Sequence, residues 1–141
     1  MNGFLFDTNT VSELVSLKPN QQVLDWMESA DENRLYLSAM TLGEIRQGVT
    51  SLSQSKKRTR LESWLEVDLQ SRFVGRILAI DGAVADRWGW IMAQAQAKGM
   101  TLPVVDGLIA ATALHHNLTA VTRNVSDFTV AGLSVINPWE A

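Results

Sequence analysis

Four acidic side chains stand out by the company they keep. Asp7 ends the apolar run Gly3-Phe4-Leu5-Phe6, and Asp106 runs straight into Gly107-Leu108-Ile109-Ala110. Glu44 lies beside the apolar stripe Leu42, Ile45, Val49 and Leu52, not opposite it, and Asp127 follows the polar stretch that succeeds Thr119-Ala120-Val121-Thr122. A carboxyl among apolar neighbours resists ionising unless a cation meets it. Taken singly, each acid has a plain structural reading: Asp106 as a helix cap, Glu44 as a helix-surface acid, Asp127 as a turn residue. Taken together they repel one another, and a divalent cation is the simplest remedy. The chain has no cysteine and only the adjacent pair His115 and His116, so oxygen ligands for Mg²⁺, or Mn²⁺, are favoured over a zinc site. Such an ion orients a phosphodiester, activates a water and stabilises a leaving oxygen.

These acids need a frame that brings them to one place. The opening apolar run reads as a buried strand, central in a parallel sheet, with Asp7 at the carboxyl end where open α/β sheets bind ligands. Thr8 or Asn9 would cap a short helix over residues 11–17, stopped by Pro19, and Asn20 caps another through Ala30. Residues 35–38, 77–80, 119–122 and 133–136 read as further strands. Helices are expected from Thr41, from Leu61, over residues 83–98 and over 107–114, with the basic stretch Ser53 to Arg60 breaking the pattern. The helix after Asp106 is apolar all round and should be buried. Alternating strands and helices predict a three-layer α/β/α sandwich around a mostly parallel sheet, a single domain over residues 1–141.

The bulk properties agree. With 46% apolar and 19% charged residues the chain is globular, not disordered. The first apolar run stops at Asp7 with no basic region before it, so no signal peptide is expected; no apolar stretch approaches the roughly 18 residues of a membrane helix. A cytoplasmic protein without membrane attachment is the expectation. The formal charge of −3 argues against non-specific coating of nucleic acid, but once the four acids are set against an ion the remainder is no longer net acidic.

The ordered motifs carry a family likeness. Leu5-Phe6-Asp7-Thr8-Asn9, Ser38-Ala39-Met40-Thr41-Leu42-Gly43-Glu44-Ile45-Arg46 with Gly48, Asp106-Gly107-Leu108-Ile109-Ala110-Ala111-Thr112-Ala113, Thr122-Arg123-Asn124-Val125-Ser126-Asp127-Phe128 and Asn137-Pro138-Trp139 together cover nearly the whole chain. In this the chain resembles PIN-domain ribonucleases of the VapC toxin type, in the FitB-like branch. The resemblance implies cleavage of RNA by a Mg²⁺-dependent (Mn²⁺ possible) endoribonuclease, with catalytic and metal-binding acids at Asp7, Glu44 and Asp106. Relatives differ on the fourth polar position, which falls at Asn124 or at Asp127; the neutral Asn124 favours Asp127 as the acid, with Thr8, Asn9, Thr122 and Asn124 orienting ligands around it. A water held at the ion by Asp7 and Asp106 would attack in line while Glu44 binds metal or takes the proton, leaving 5′-phosphate and 3′-hydroxyl ends. The family further implies the toxin half of a toxin–antitoxin pair, a homodimer restrained by a small antitoxin that itself binds operator DNA.

Basic residues offer contacts for RNA or antitoxin at Arg46, Arg123, Lys56, Lys57 and Arg58, against the plainer alternative of a solvated helix entrance. His115 and His116 point about 100° apart on a helix and are not expected to chelate together. Trp26, Trp64 and Trp88 lie at apolar stripes and read as core or dimer contact. Two competing functions remain. One is a non-catalytic interaction protein with the same fold; the other is a phosphatase or phosphotransferase with Asp7 as covalent nucleophile, for which Asn9 stands where a second acid is expected.

Overall fold

Strand β1 (Gly3–Phe6) lies at the centre of a five-stranded, fully parallel sheet in the order β3-β2-β1-β4-β5. The computed structural model describes residues 3–140. Along the chain, β1 is followed by α1 (Thr8–Ser12) with a 3₁₀ turn, α2 (Gln21–Ser29), β2 (Leu35–Ser38), α3 (Ala39–Thr50), α4 (Lys56–Ser63), a π-helical segment and the short α5 (Gln70–Arg72). Then come β3 (Ile77–Leu78), α6 (Gly82–Ala97), α7 (Val104–His115), β4 (Leu118–Val121), α8 (Val125–Thr129), β5 (Val135–Ile136) and a closing 3₁₀ turn, Pro138–Glu140.

Alternation along β1 divides the core between the two sheet faces. Leu5 joins Val84, Ile91, Ile109, Ala110 and Phe128 under α6, α7 and α8. Phe6 joins Val11, Val23, Ile45, Leu69 and Phe73 under the helices α1 to α5. The expected α/β/α layering is therefore present. In register, Phe4 pairs with Leu35 of β2 and with Thr119 of β4, so β1 is flanked on both sides, as a continuous apolar run requires.

Several boundaries differ from the sequence-based expectations, each for a local reason. Helix α1 starts at Thr8, and its cap is Asp7 itself, whose carboxylate accepts the Thr8 N–H. Helix α3 starts at Ala39, not Thr41, because Ser38 is both the last residue of β2 and the cap that accepts the Met40 N–H. The basic stretch does not break helicity: Ser55 caps α4, and Lys56 to Arg60 form its first turns. Strands β3 and β5 are only two residues each because both are edge strands, paired on one side. Asn20 caps α2 as expected, through both Gln22 and Val23 N–H groups.

Helix α7 is buried from Ile109 to Ala113 and lies close to α6. The close approach depends on Gly107: a Cβ there would sit 2.8 Å from Met92 Sδ and 3.1 Å from Trp88. Since Asp106 immediately precedes it, the same glycine sets how closely the start of α7 approaches α6.

Candidate active site

Asp7 stands at the carboxyl end of the central strand, 3% exposed. Its backbone N–H still donates to Val121 O of β4 (3.0 Å), so the strand geometry carries through to the acid. One carboxylate oxygen, Oδ1, accepts the Thr8 N–H at 2.8 Å; the other, Oδ2, accepts the Thr122 hydroxyl at 2.7 Å. Thr122 is itself fully buried and fixed, because its Oγ1 accepts the Asn124 N–H (2.9 Å) and its N–H donates to Ile136 O of β5 (3.0 Å). Two strands and a helix start thus determine where this carboxylate points.

Glu44 reaches the same region from the second turn of α3. Its Oε1 accepts the Thr8 hydroxyl at 2.5 Å, and Thr41 Oγ1 lies 3.4 Å from that hydroxyl. Asp106 sits in the first turn of α7, and Asp127 in the first turn of α8. The electrostatics tie all four together. Burial pushes the Asp7 carboxyl above the usual carboxylate range; the Thr122 and Thr8 hydrogen bonds oppose this, and the charges of Glu44 and Asp127 add to it. Asp106 is pushed up to about 7, first by burial, then by the charge of Asp7, by a hydrogen bond with Asp127 and by the charges of Asp127 and Glu44. The charges acting on Asp7 and Asp106 are all negative.

Whether this donor set suits a divalent cation follows from that repulsion. Four carboxyls from four different elements, with those of Asp7 and Asp106 raised above the usual range by burial and by neighbouring acids, form an oxygen-only set whose charge a hard cation would offset. Among the described residues, no three acid or imidazole groups are already drawn within coordinating distance of one point. The two observations are compatible, because Coulombic coupling extends well beyond the ~2.0–2.6 Å of a metal–oxygen bond. The donor chemistry fits Mg²⁺ or Mn²⁺.

The other residues singled out in the sequence divide into two groups. Thr8 and Thr122 touch the acids directly. Asn9 Oδ1 accepts the Thr10 hydroxyl at 3.2 Å, and Asn124 contributes its backbone N–H while its side chain makes no capping bond. Arg46 is occupied by Glu66 (2.9 Å) and Glu62 (4.0 Å), and Arg58 by Glu62 (3.7 Å) and Leu52 O (3.1 Å). Lys57 lines a groove of about 240 Å³ together with Thr8, Glu44, Gly48, Leu61 and Trp64. Lys56 is exposed on the first turn of α4. Arg123 lies over the ring of Trp139, 4.3 Å from its centroid. That pairing was missed in the sequence, because 16 residues separate the partners and neither sits on a periodic face. His115 and His116 meet edge to face, with ring centroids 4.9 Å apart, because His116 has already left the helix. Trp26, Trp64 and Trp88 pack against the two cores. No helix among the described residues is long and apolar enough to cross a membrane.

With this geometry in hand, likeness to known proteins is informative. A family model described as PIN domain matches residues 4–131. The chain is 41% identical over 135 residues to Toxin FitB of Neisseria gonorrhoeae, covering 96% of this chain and 97% of that protein. It is 39% identical over 136 residues to VapC ribonuclease Y4jK of Sinorhizobium fredii, again covering 96% and 97%. Among solved structures, one of FitAB bound to an IR36 DNA fragment contains a chain that superposes with a TM-score of 0.91 at 39% identity, covering 96% of this chain and 95% of that one.

Proposed function

The chain belongs to the PIN-domain family, and from that premise we propose that it is a divalent-metal-dependent endoribonuclease, the toxin of a toxin–antitoxin pair. The observation that carries the reading is that Thr8 bonds both Asp7 and Glu44, while Asp7 feels the charges of Glu44 and Asp127 and Asp106 those of Asp7, Asp127 and Glu44. Held by these carboxyls, Mg²⁺ or Mn²⁺ would offset part of their charge and supply Lewis acidity toward a phosphodiester and an attacking water.

The chain's own groups then have distinct tasks. Thr122 and the Thr8 N–H hold both oxygens of Asp7, so its carboxylate cannot rotate as substrate enters. The Thr8 hydroxyl holds Glu44 Oε1, which leaves Oε2 to receive the proton of a water attacking phosphorus. Because water and not the ribose 2′-hydroxyl is the nucleophile, the products carry a 5′-phosphate and a 3′-hydroxyl. Asp106 and Asp127 complete the acidic wall from the starts of α7 and α8.

The relatives' names support the biological side of this reading: one is called a toxin, another a ribonuclease. A cognate antitoxin would cover the acidic wall with a basic group, which charged hydrogen bonding favours. The protein would act as a homodimer in the cytoplasm. The test is direct. Single-stranded RNA incubated with the protein should be cut in Mg²⁺ or Mn²⁺ and left intact in EDTA, with 5′-phosphate ends. Undiminished cleavage in EDTA, or cyclic phosphate ends, would refute the mechanism.

A further inference from the structure

The acidic wall attracts cations and repels RNA phosphates, so a nuclease needs a fixed positive group at its rim. Four arginines are taken up by glutamates: Arg46 and Arg58 around Glu62 and Glu66, Arg72 and Arg76 around Glu32. Arg123 differs from them. It is exposed, and among the described residues it makes no ion pair; its guanidinium lies over the ring of Trp139.

Its position is set by the same backbone that sets the catalytic acid. Arg123 directly follows Thr122, whose hydroxyl holds Asp7 Oδ2. The Thr122 N–H is tied to Ile136 O, and the next residue, Asn137, accepts the Trp139 N–H through its Oδ1 at 3.0 Å. The Trp139 ring is half-buried beside the core that contains Phe6 and Val121. The shelf under Arg123 and the clamp on Asp7 are therefore parts of one tied unit. A guanidinium lying on an indole keeps its full charge while its plane is fixed. Among the described residues nothing binds its in-plane N–H groups, which form a fork that matches two phosphate oxygens.

We propose that Arg123, laid on Trp139, binds an RNA phosphate next to the scissile one and so positions the strand across the acidic wall. This rests on the nuclease reading above. It adds a substrate-binding role for Arg123 and a positioning role for Trp139, whose packing hitherto explained it only as the close of the fold.

The experiment separates the two claims. Cleavage by the wild-type chain tests the nuclease reading alone. Binding is then measured without cleavage, by fluorescence anisotropy of a labelled 12-nucleotide single-stranded RNA on the Asp7→Asn background across a salt series. Adding Arg123→Ala should weaken binding about 10-fold, as loss of a charged hydrogen-bond pair does. It should also lower the slope of log affinity against log salt by about 0.7, one phosphate contact on a single strand. Arg123→Lys should restore the slope but only part of the affinity, and Trp139→Phe should fall between wild type and Arg123→Ala. In the cleaving enzyme the Arg123→Ala loss should appear in KM more than in kcat. Because Arg123 is exposed, its variants should melt with the wild type, so they decide the matter even if Trp139 variants unfold. Unchanged RNA affinity and slope in Arg123→Ala overturn the proposal. So does a loss of antitoxin binding with RNA binding intact, which would assign the pair to the protein partner.

Discussion

Two polar clusters flank the sheet, and they are built on opposite principles. At the edge formed by β2 and β3, Glu32 faces Arg72 (2.8 Å) and Arg76 (3.7 Å), and Arg76 also donates to the carbonyls of Glu32 and Leu35 (2.6 Å each) and Arg72, while stacking 5.1 Å from the centre of Phe73. Every charge there is answered from within the chain. At the carboxyl end of β1, Asp7 feels the negative charges of Glu44 and Asp127, and Asp106 feels those of Asp7, Asp127 and Glu44. A cluster that satisfies itself serves the fold; one that leaves like charges facing each other is held in place by the rest of the fold and awaits a group from outside.

The contrast can be broken most forcefully at the acids. Asp7→Asn or Asp106→Asn should lower RNA cleavage at least about 100-fold, the scale of losing a charge-stabilising group at a reacting centre, while denaturant unfolding shows stability unchanged or improved because a repulsion is gone. Unfolding of these variants would mean the acids are structural. The reverse pattern is expected at the other cluster: Arg76→Met should cost about 1–3 kcal/mol of stability by leaving carbonyls without donors, with cleavage per folded molecule unaltered.

A pH series sharpens the same comparison. Asp106 and Asp7 have carboxyls raised in the folded state, so the native protein holds protons that the unfolded chain has released, and stability falls as pH rises. For Asp106 the contribution is full below the ordinary carboxylate pKa and is lost as pH rises from there through about 7. Since Asp106 is half-exposed, the effect is on the order of 1 kcal/mol after solvent screening. Urea unfolding in EDTA should therefore show the wild type losing stability between about pH 4 and pH 7 relative to Asp106→Asn; parallel curves would contradict the coupling. The smallest effect belongs to Arg46→Ala. Its pairing with Glu66 is a surface contact worth below about 1 kcal/mol, and KM for RNA should stay at the wild-type value in the same kinetic assay.

Much of this was legible in the chain. An apolar run ending in Asp7 can hardly be anything but a central strand, and the apolar surround of residues 107–114 marked a buried helix before any coordinates. Those placements put Asp7 at a strand end and Asp106 at a helix start; the grouping with Glu44 came from the ordered family motifs. The start of α3 was misjudged because Ser38 serves strand and cap at once, and α4 was misread because its first turns carry four basic side chains with no apolar stripe to announce a helix. Asp127 lies in a helix of five residues, too short for periodicity to register. The stacking of Arg123 on Trp139 is a tertiary contact between loop and closing turn, and local pattern carries no trace of it.

The central claim is that the four acids form one cation site. Titrating Mn²⁺ into the metal-free protein while following the thermal midpoint tests it without reference to catalysis. The wild type should show a saturable rise that the double variant Asp7→Asn, Asp106→Asn lacks. Equal rises in both, or none in the wild type at millimolar Mn²⁺, would contradict it.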